Sequence, residues 1–132
     1  MSEDTLFELF ISVGQKIDSL WEFYVTVHLA ILGGILWVHA RLHALISFTL
    51  FLSYLMFAWL NYGAIADYYH ILTALQQDIS SSSGPVHLQA LHKQISVLDY
   101  SSREIILAIV YLASIAMMFF ALITMSVRYH KK

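Results

Sequence analysis

Three apolar runs, at positions 23–38, 45–62 and 105–125, dictate what this chain can fold into. Each approaches the ~20 residues with which an α-helix crosses ~30 Å of hydrocarbon. A helix also satisfies its backbone amides without help from water, which a lone strand or loop in lipid cannot do. With 59% of its 132 residues hydrophobic and only 12% charged, the chain has no room for a separate water-soluble domain beside such spans. The expected fold is an all-α membrane protein, a single domain over 1–132 with three transmembrane helices.

The charges are distributed as such a threading requires. Five acids (Glu3, Asp4, Glu8, Asp18, Glu22) precede the first run, and four (Asp67, Asp78, Asp99, Glu104) lie between the second and third. Two crossings apart, these segments share one side of the membrane, where they meet only three cations, Lys16, Lys93 and Arg103. The other side carries Arg41, Arg128, Lys131 and Lys132 and no acid. Basic residues are retained in the cytoplasm. The expected topology therefore puts the N-terminus and the long connection outside, periplasmic or extracellular, and the C-terminus in the cytoplasm. Arg41, Arg128, Lys131 and Lys132 would touch lipid headgroups there. Trp21, Trp59 and Tyr62 near the outer boundary, with Trp37 and Tyr129 near the inner one, fit an aromatic belt. The acidic start, Ser2-Glu3-Asp4, is unlike the basic start of a cleavable signal.

Two segments outside the runs have helical patterns. Residues 1–22 form an amphipathic N-terminal segment, with Phe7, Phe10, Ile11, Ile17 and Leu20 near helical spacing. It is either an interfacial helix on the outer leaflet or an extension of the first span, with Gly14 as a candidate break. Beyond Tyr62 the all-round apolar pattern gives way to a repeat of three and four: Ile65, Tyr68, Leu72, Leu75, Ile79. A Ser80-Ser81-Ser82-Ser83-Gly84-Pro85 loop follows, and the repeat resumes with Leu88, Leu91, Ile95 and Leu98. Folded on that loop, Ile79 faces Leu88, Leu75 faces Leu91, Leu72 faces Ile95 and Tyr68 faces Leu98. Spans two and three are thus expected to continue outside the membrane, over 64–104, as an antiparallel coiled-coil hairpin. The connection through His39, Arg41 and His43 is expected to be a tight turn.

Few residues offer chemistry. His28 is the one readily ionisable side chain deep in a run, and such groups normally face the protein interior. It is either a proton-responsive group or a neutral imidazole bonded to Ser53, Tyr54 or a copy of itself, gluing helices together. Asn61 and Asp67, with Glu22, are candidates for a polar entrance at an acidic outer mouth. Ala30, Gly33 and Gly34 on the first span give a small-residue face for close helix packing.

Other function classes find no support. The chain has no cysteine, which excludes disulfides and thiolate metal sites. Spans two and three lack the core histidine that a haem between helices would need opposite His28, so no cofactor is expected. His39 and His43 have a metal-compatible spacing, but basic neighbours oppose a cation and no metal is expected. No nucleophile–base constellation points to an enzyme, and no basic surface points to nucleic acid. The sequence therefore predicts a non-enzymatic protein that associates with copies of itself or docks as an accessory subunit on a larger membrane partner. The competing reading is a homo-oligomeric cation or proton channel using His28 and the acidic mouth.

Overall fold

A computed structural model describes residues 3–37, 43–81, 89–100 and 102–130, with side chains described to Met125. Four helices account for nearly all of them: α1 (Glu3–Trp37), α2 (Ala44–Ser81), α3 (Gln89–Val97) and α4 (Arg103–His130). Among the described residues there is no strand. Three helices, α1, α2 and α4, are long and apolar enough to cross a membrane. At 35 and 38 residues, α1 and α2 extend roughly 52 and 57 Å, far beyond a hydrocarbon core of ~30 Å. Both must therefore run well past one face of any bilayer they span.

The packing order makes α2 the axis. It packs along both α1 and α4, which meet each other much less, and α3 rests on its far end. Neighbours run antiparallel: Tyr24 of α1 meets Tyr54 of α2, while Asn61 and Phe51 of α2 meet Tyr111 and Phe119 of α4. The buried positions of α2 begin inside its apolar run and continue to its end: Ser47, Tyr54, Ala58, Asn61, Ile65, Leu72, Leu75 and Ile79. Half-buried Phe51 and Tyr68 fill the gaps, so a spacing of three and four persists along the whole helix.

The span region buries a few polar side chains in an apolar core and turns a largely apolar surface outward. His28, Ser47 and Asn61 are buried, whereas Phe23, Leu29, Phe48, Met56, Leu60, Ile109, Leu112 and Phe120 lie exposed. In water such a surface would aggregate. In lipid it is the stable arrangement, and it is compatible with a small membrane protein.

Residues 4–20 extend the first span, and α1 runs through Gly14 without a break. Its Phe7, Phe10, Val13 and Ile17 are buried in the common core, so tertiary packing holds the helix together where a glycine alone would weaken it. The far end of α2 therefore carries a head built from α1, α2 and α3, with one helix more than a simple hairpin.

The second arm of the expected hairpin departs from its prediction in two ways. First, α3 stops at Val97 and α4 starts at Arg103, so the arm does not run continuously into the third span. Asp99 and Ser102 prefer local turn bonds to helix interiors. Here the Leu98 amide reaches back to the Ile95 carbonyl (3.2 Å) and the Arg103 amide to the Tyr100 carbonyl (3.0 Å). Leu98 consequently leaves the seam and is exposed, while Leu91 is half-buried and Ile95 buried. Second, the polar bonds across the arms tie Gln76 to Ile95 and His92 to Ile79. The apolar repeat gives no sign of these bonds. Ser80 and Ser81 of the expected loop belong to the last turn of α2, while Ser82, Ser83, Gly84, Pro85 and Leu88 lie outside the described residues, as do His39 and Arg41 of the first connection.

Candidate functional site

The polar interior of the span region is built by one face of each long helix. On α1, Trp21, Tyr24 and His28 follow one another at helical spacing. On α2, Tyr54 and Asn61 stand seven residues apart with Ala58 between them, and α4 contributes Tyr111. The small Ala58 lets these bulky rings close on one another, and it is completely buried.

His28 Nδ1 lies 2.6 Å from the Tyr54 hydroxyl, which lies 3.0 Å from the Tyr24 hydroxyl. With the imidazole proton on Nε2, Tyr24 can donate to Tyr54 and Tyr54 to Nδ1, giving one directional chain. A second bond crosses to α4, where Asn61 Nδ2 donates to the Tyr111 hydroxyl at 2.5 Å. The two are joined by rings: Tyr111 stacks on Tyr24 with centroids 4.2 Å apart, and Trp21 and Tyr62 close on Tyr111 at 5.9 and 5.5 Å. Phe57 stacks on the other side of Tyr24 at 5.9 Å. Such pairs add perhaps 0.5–1.5 kcal/mol each beyond the burial of their area. The cluster thus pins all three long helices at one level.

The remaining sequence candidates lie elsewhere. Asn61 turns into the bundle and does not line an entrance; Glu22 and Asp67 are exposed and meet neither His28 nor Asn61. Thr26, Thr49 and Ser53 are exposed on the surface of the chain. Ala30, Gly33 and Gly34 point away from the other helices, and nothing lies within 4 Å of where a Cβ on either glycine would sit. Arg41, Lys131 and Lys132, and the side chain of Arg128, lie outside the described residues. Among the described residues no group of three or more His, Asp or Glu side chains comes together as a metal site would need.

Outside the spans, the head holds two features that the sequence did not signal. Gln76 Nε2 of α2 donates to the carbonyls of Ile95 (2.8 Å) and Leu98 at the end of α3. His92 of α3 in turn places Nε2 at 2.8 Å from the Ile79 carbonyl in the last turn of α2. Each helix thus supplies a side chain that bonds to carbonyls at the other's C-terminal end. Next to this, an apolar groove of about 600 Å³ opens between α1 and α3, walled by Phe10, Ile11, Leu91, Ile95, Val97 and Leu98, with Lys93 and Gln94 on its rim. Val97 there is 77% exposed. An exposed His70–Glu104 pair, 3.2 Å apart, ties α2 to the first turn of α4.

Compared with protein-family models, with curated proteins and with solved structures, the chain matches none.

Proposed function

We propose that this is a non-enzymatic integral membrane protein that acts by association. It docks as an accessory subunit on a larger membrane partner, or on copies of itself, through the head formed by α1, α2 and α3. The observation that carries this reading is the groove between α1 and α3. An open apolar cleft in the acid-rich half of the molecule, away from the runs that face lipid, has the character of a protein-binding surface. The charge distribution supports a topology with the N-terminus and the head outside and the C-terminus in the cytoplasm. The three-and-four spacing along α2 supports coiled-coil packing within the head.

A conducting pore between copies is less well supported. It would need His28 on the outer surface of the chain, whereas its ring is buried against Tyr54.

The test is the mass of the nanodisc-embedded particle from native membranes, for the wild type and for Val97→Glu. The wild type should carry a second chain, its own or a partner's, and Val97→Glu should lose it while keeping its helix content. A wild-type particle of one chain, or an unchanged assembly in Val97→Glu, defeats the proposal. Cysteines placed singly at Ser82 and Lys132 check the topology on intact cells: an impermeant thiol reagent should label the first and not the second.

A further inference from the structure

The phenols of Tyr24, Tyr54 and Tyr111 are all buried, but they face different partners. Tyr111 receives the Asn61 amide at 2.5 Å, and Tyr24 faces the Tyr54 hydroxyl at 3.0 Å. Of the three, Tyr54 is the one against a base, His28 Nδ1 at 2.6 Å. A phenol that loses an electron becomes a strong acid, and in apolar surroundings the resulting cation is costly unless its proton has somewhere to go. Tyr54 has that acceptor in place. The Tyr24 hydroxyl is in turn positioned to donate to the phenoxyl oxygen that would be left behind.

The same cluster gives the electron a way out. Tyr24, in hydroxyl contact with Tyr54, stacks on Tyr111 with centroids 4.2 Å apart. Trp21 lies 6.3 Å from Tyr24 and 5.9 Å from Tyr111, centroid to centroid. Trp21 and its neighbour on the cluster, Tyr62, are half-buried, so the run of oxidisable rings reaches the surface of the chain. Indole and phenol are the most readily oxidised aromatic side chains, and electrons pass readily between rings in contact. Packing asks only for apolar rings, which phenylalanine supplies. A run of indole and phenols that ends on an imidazole is what the removal of an electron together with a proton requires.

We propose that Tyr54 is a redox-active tyrosine that quenches lipid peroxyl radicals. The peroxyl radical takes one electron from Trp21 and one proton from water at the membrane boundary, becoming a hydroperoxide and leaving hydroxide in the water. Tyr111 and Tyr24 relay an electron from Tyr54 that restores Trp21. The Tyr54 O–H bond breaks, its proton forms an N–H bond at His28 Nδ1, and a neutral phenoxyl radical faces an imidazolium. Each chain thereby takes up one oxidising equivalent. The proposal rests on the polar core and on the membrane reading of the long helices, and it is independent of what the head docks.

Flash photolysis of the chain in saturated-lipid nanodiscs, with a ruthenium polypyridyl photo-oxidant, tests it by transient absorption and electron paramagnetic resonance. The wild type should give a persistent phenoxyl radical, formed more slowly in heavy water, and Tyr54→Phe should lose it. His28→Asn separates packing from chemistry, because its amide still accepts the Tyr54 hydrogen bond but takes no proton. With its helix content unchanged, that variant should form the radical about a hundredfold more slowly, the lower end of what a positioned proton acceptor contributes. In nanodiscs of polyunsaturated phospholipid exposed to a radical initiator, the wild type should hold oxygen uptake below that of Tyr54→Phe. A persistent phenoxyl radical undiminished in Tyr54→Phe, equal rates in wild type and His28→Asn, or equal oxygen uptake by wild type and Tyr54→Phe would each overturn the proposal.

Discussion

The Tyr54 hydroxyl is the hinge of the polar core, within hydrogen-bond reach of both His28 Nδ1 and the Tyr24 hydroxyl, at 2.6 and 3.0 Å. One group on α2 thereby fastens two successive turns of α1. Losing it leaves two buried polar atoms short of a partner, whereas losing His28 leaves Tyr54 still bonded to Tyr24.

Tyr54→Phe should therefore cost more than His28→Leu, on the order of 1–2 kcal/mol against about 0.5–1, the range of interhelical polar contacts in lipid. His28→Asn, whose amide can still accept from Tyr54, should fall between wild type and His28→Leu. Unfolding by a denaturing detergent added to folded protein in mild micelles measures all three. A His28→Leu cost exceeding that of Tyr54→Phe would show that the imidazole makes a contact beyond this chain of hydroxyls.

The exchange of end caps between α2 and α3 predicts a local effect. Gln76→Ala releases the carbonyls of Ile95 and Leu98, and with only nine residues α3 has little cooperativity of its own to absorb the loss. Amide hydrogen exchange across α3 should accelerate at least tenfold, about 1.4 kcal/mol of local stability, while exchange in the span part of α2 stays unchanged. His92→Ala should produce a smaller acceleration, centred on the end of α2.

Tyr100 gives the head an alkaline limit. Burial against Phe10 and Tyr69 pushes its phenol above the ordinary value, with nearby Arg103 opposing the shift only in part. The folded state holds that proton more tightly than the unfolded one. Its contribution is thus complete below the unfolded value of about 10 and is lost as pH rises towards and through the folded one. Protection of the head from protease should decline above about pH 10 in the wild type, and Tyr100→Phe should make the decline shallower.

Gly34→Leu separates the two modes of association. The space around Gly34 is open within the chain, so the added side chain should leave the fold and melting temperature of the single chain unchanged. Where copies pair through the Ala30–Gly34 face of α1, the particle mass should fall to one chain, because close approach of backbones is what such faces provide. Where a partner docks on the head alone, the mass should not move.

How much of this was legible in the sequence follows from what each solvent makes visible. Beyond Tyr62 the buried positions stand out as Ile65, Leu72, Leu75 and Ile79 among polar neighbours. Within the apolar run that contrast vanishes, because lipid tolerates leucine and phenylalanine on every side. The seam is still written there, in inverted form, as Ser47, Tyr54 and Asn61 at intervals of seven. The sequence already offers Tyr54 among the partners of His28, whereas nothing in it singles out Tyr111 as the partner of Asn61. The groove of the head was harder to foresee, since it depends on α1 adding a third helix and on α3 ending at Val97. The caps supplied by Gln76 and His92 had no periodic signature, as both residues look like ordinary solvated positions of a hairpin.

The continuity of α2 has a mechanical consequence. A single rod roughly 57 Å long, held at mid-height by Tyr54 and Asn61, turns any sideways load on the head into torque about those two contacts. Tilting such a rod by about 10° displaces one end relative to the other by roughly 10 Å, so a partner that moves the head shifts the Ser47 end against α4 in the opposite direction. The polar core acts as the fulcrum, and its stiffness decides whether a pull on the head dies there or reaches the far end of α2.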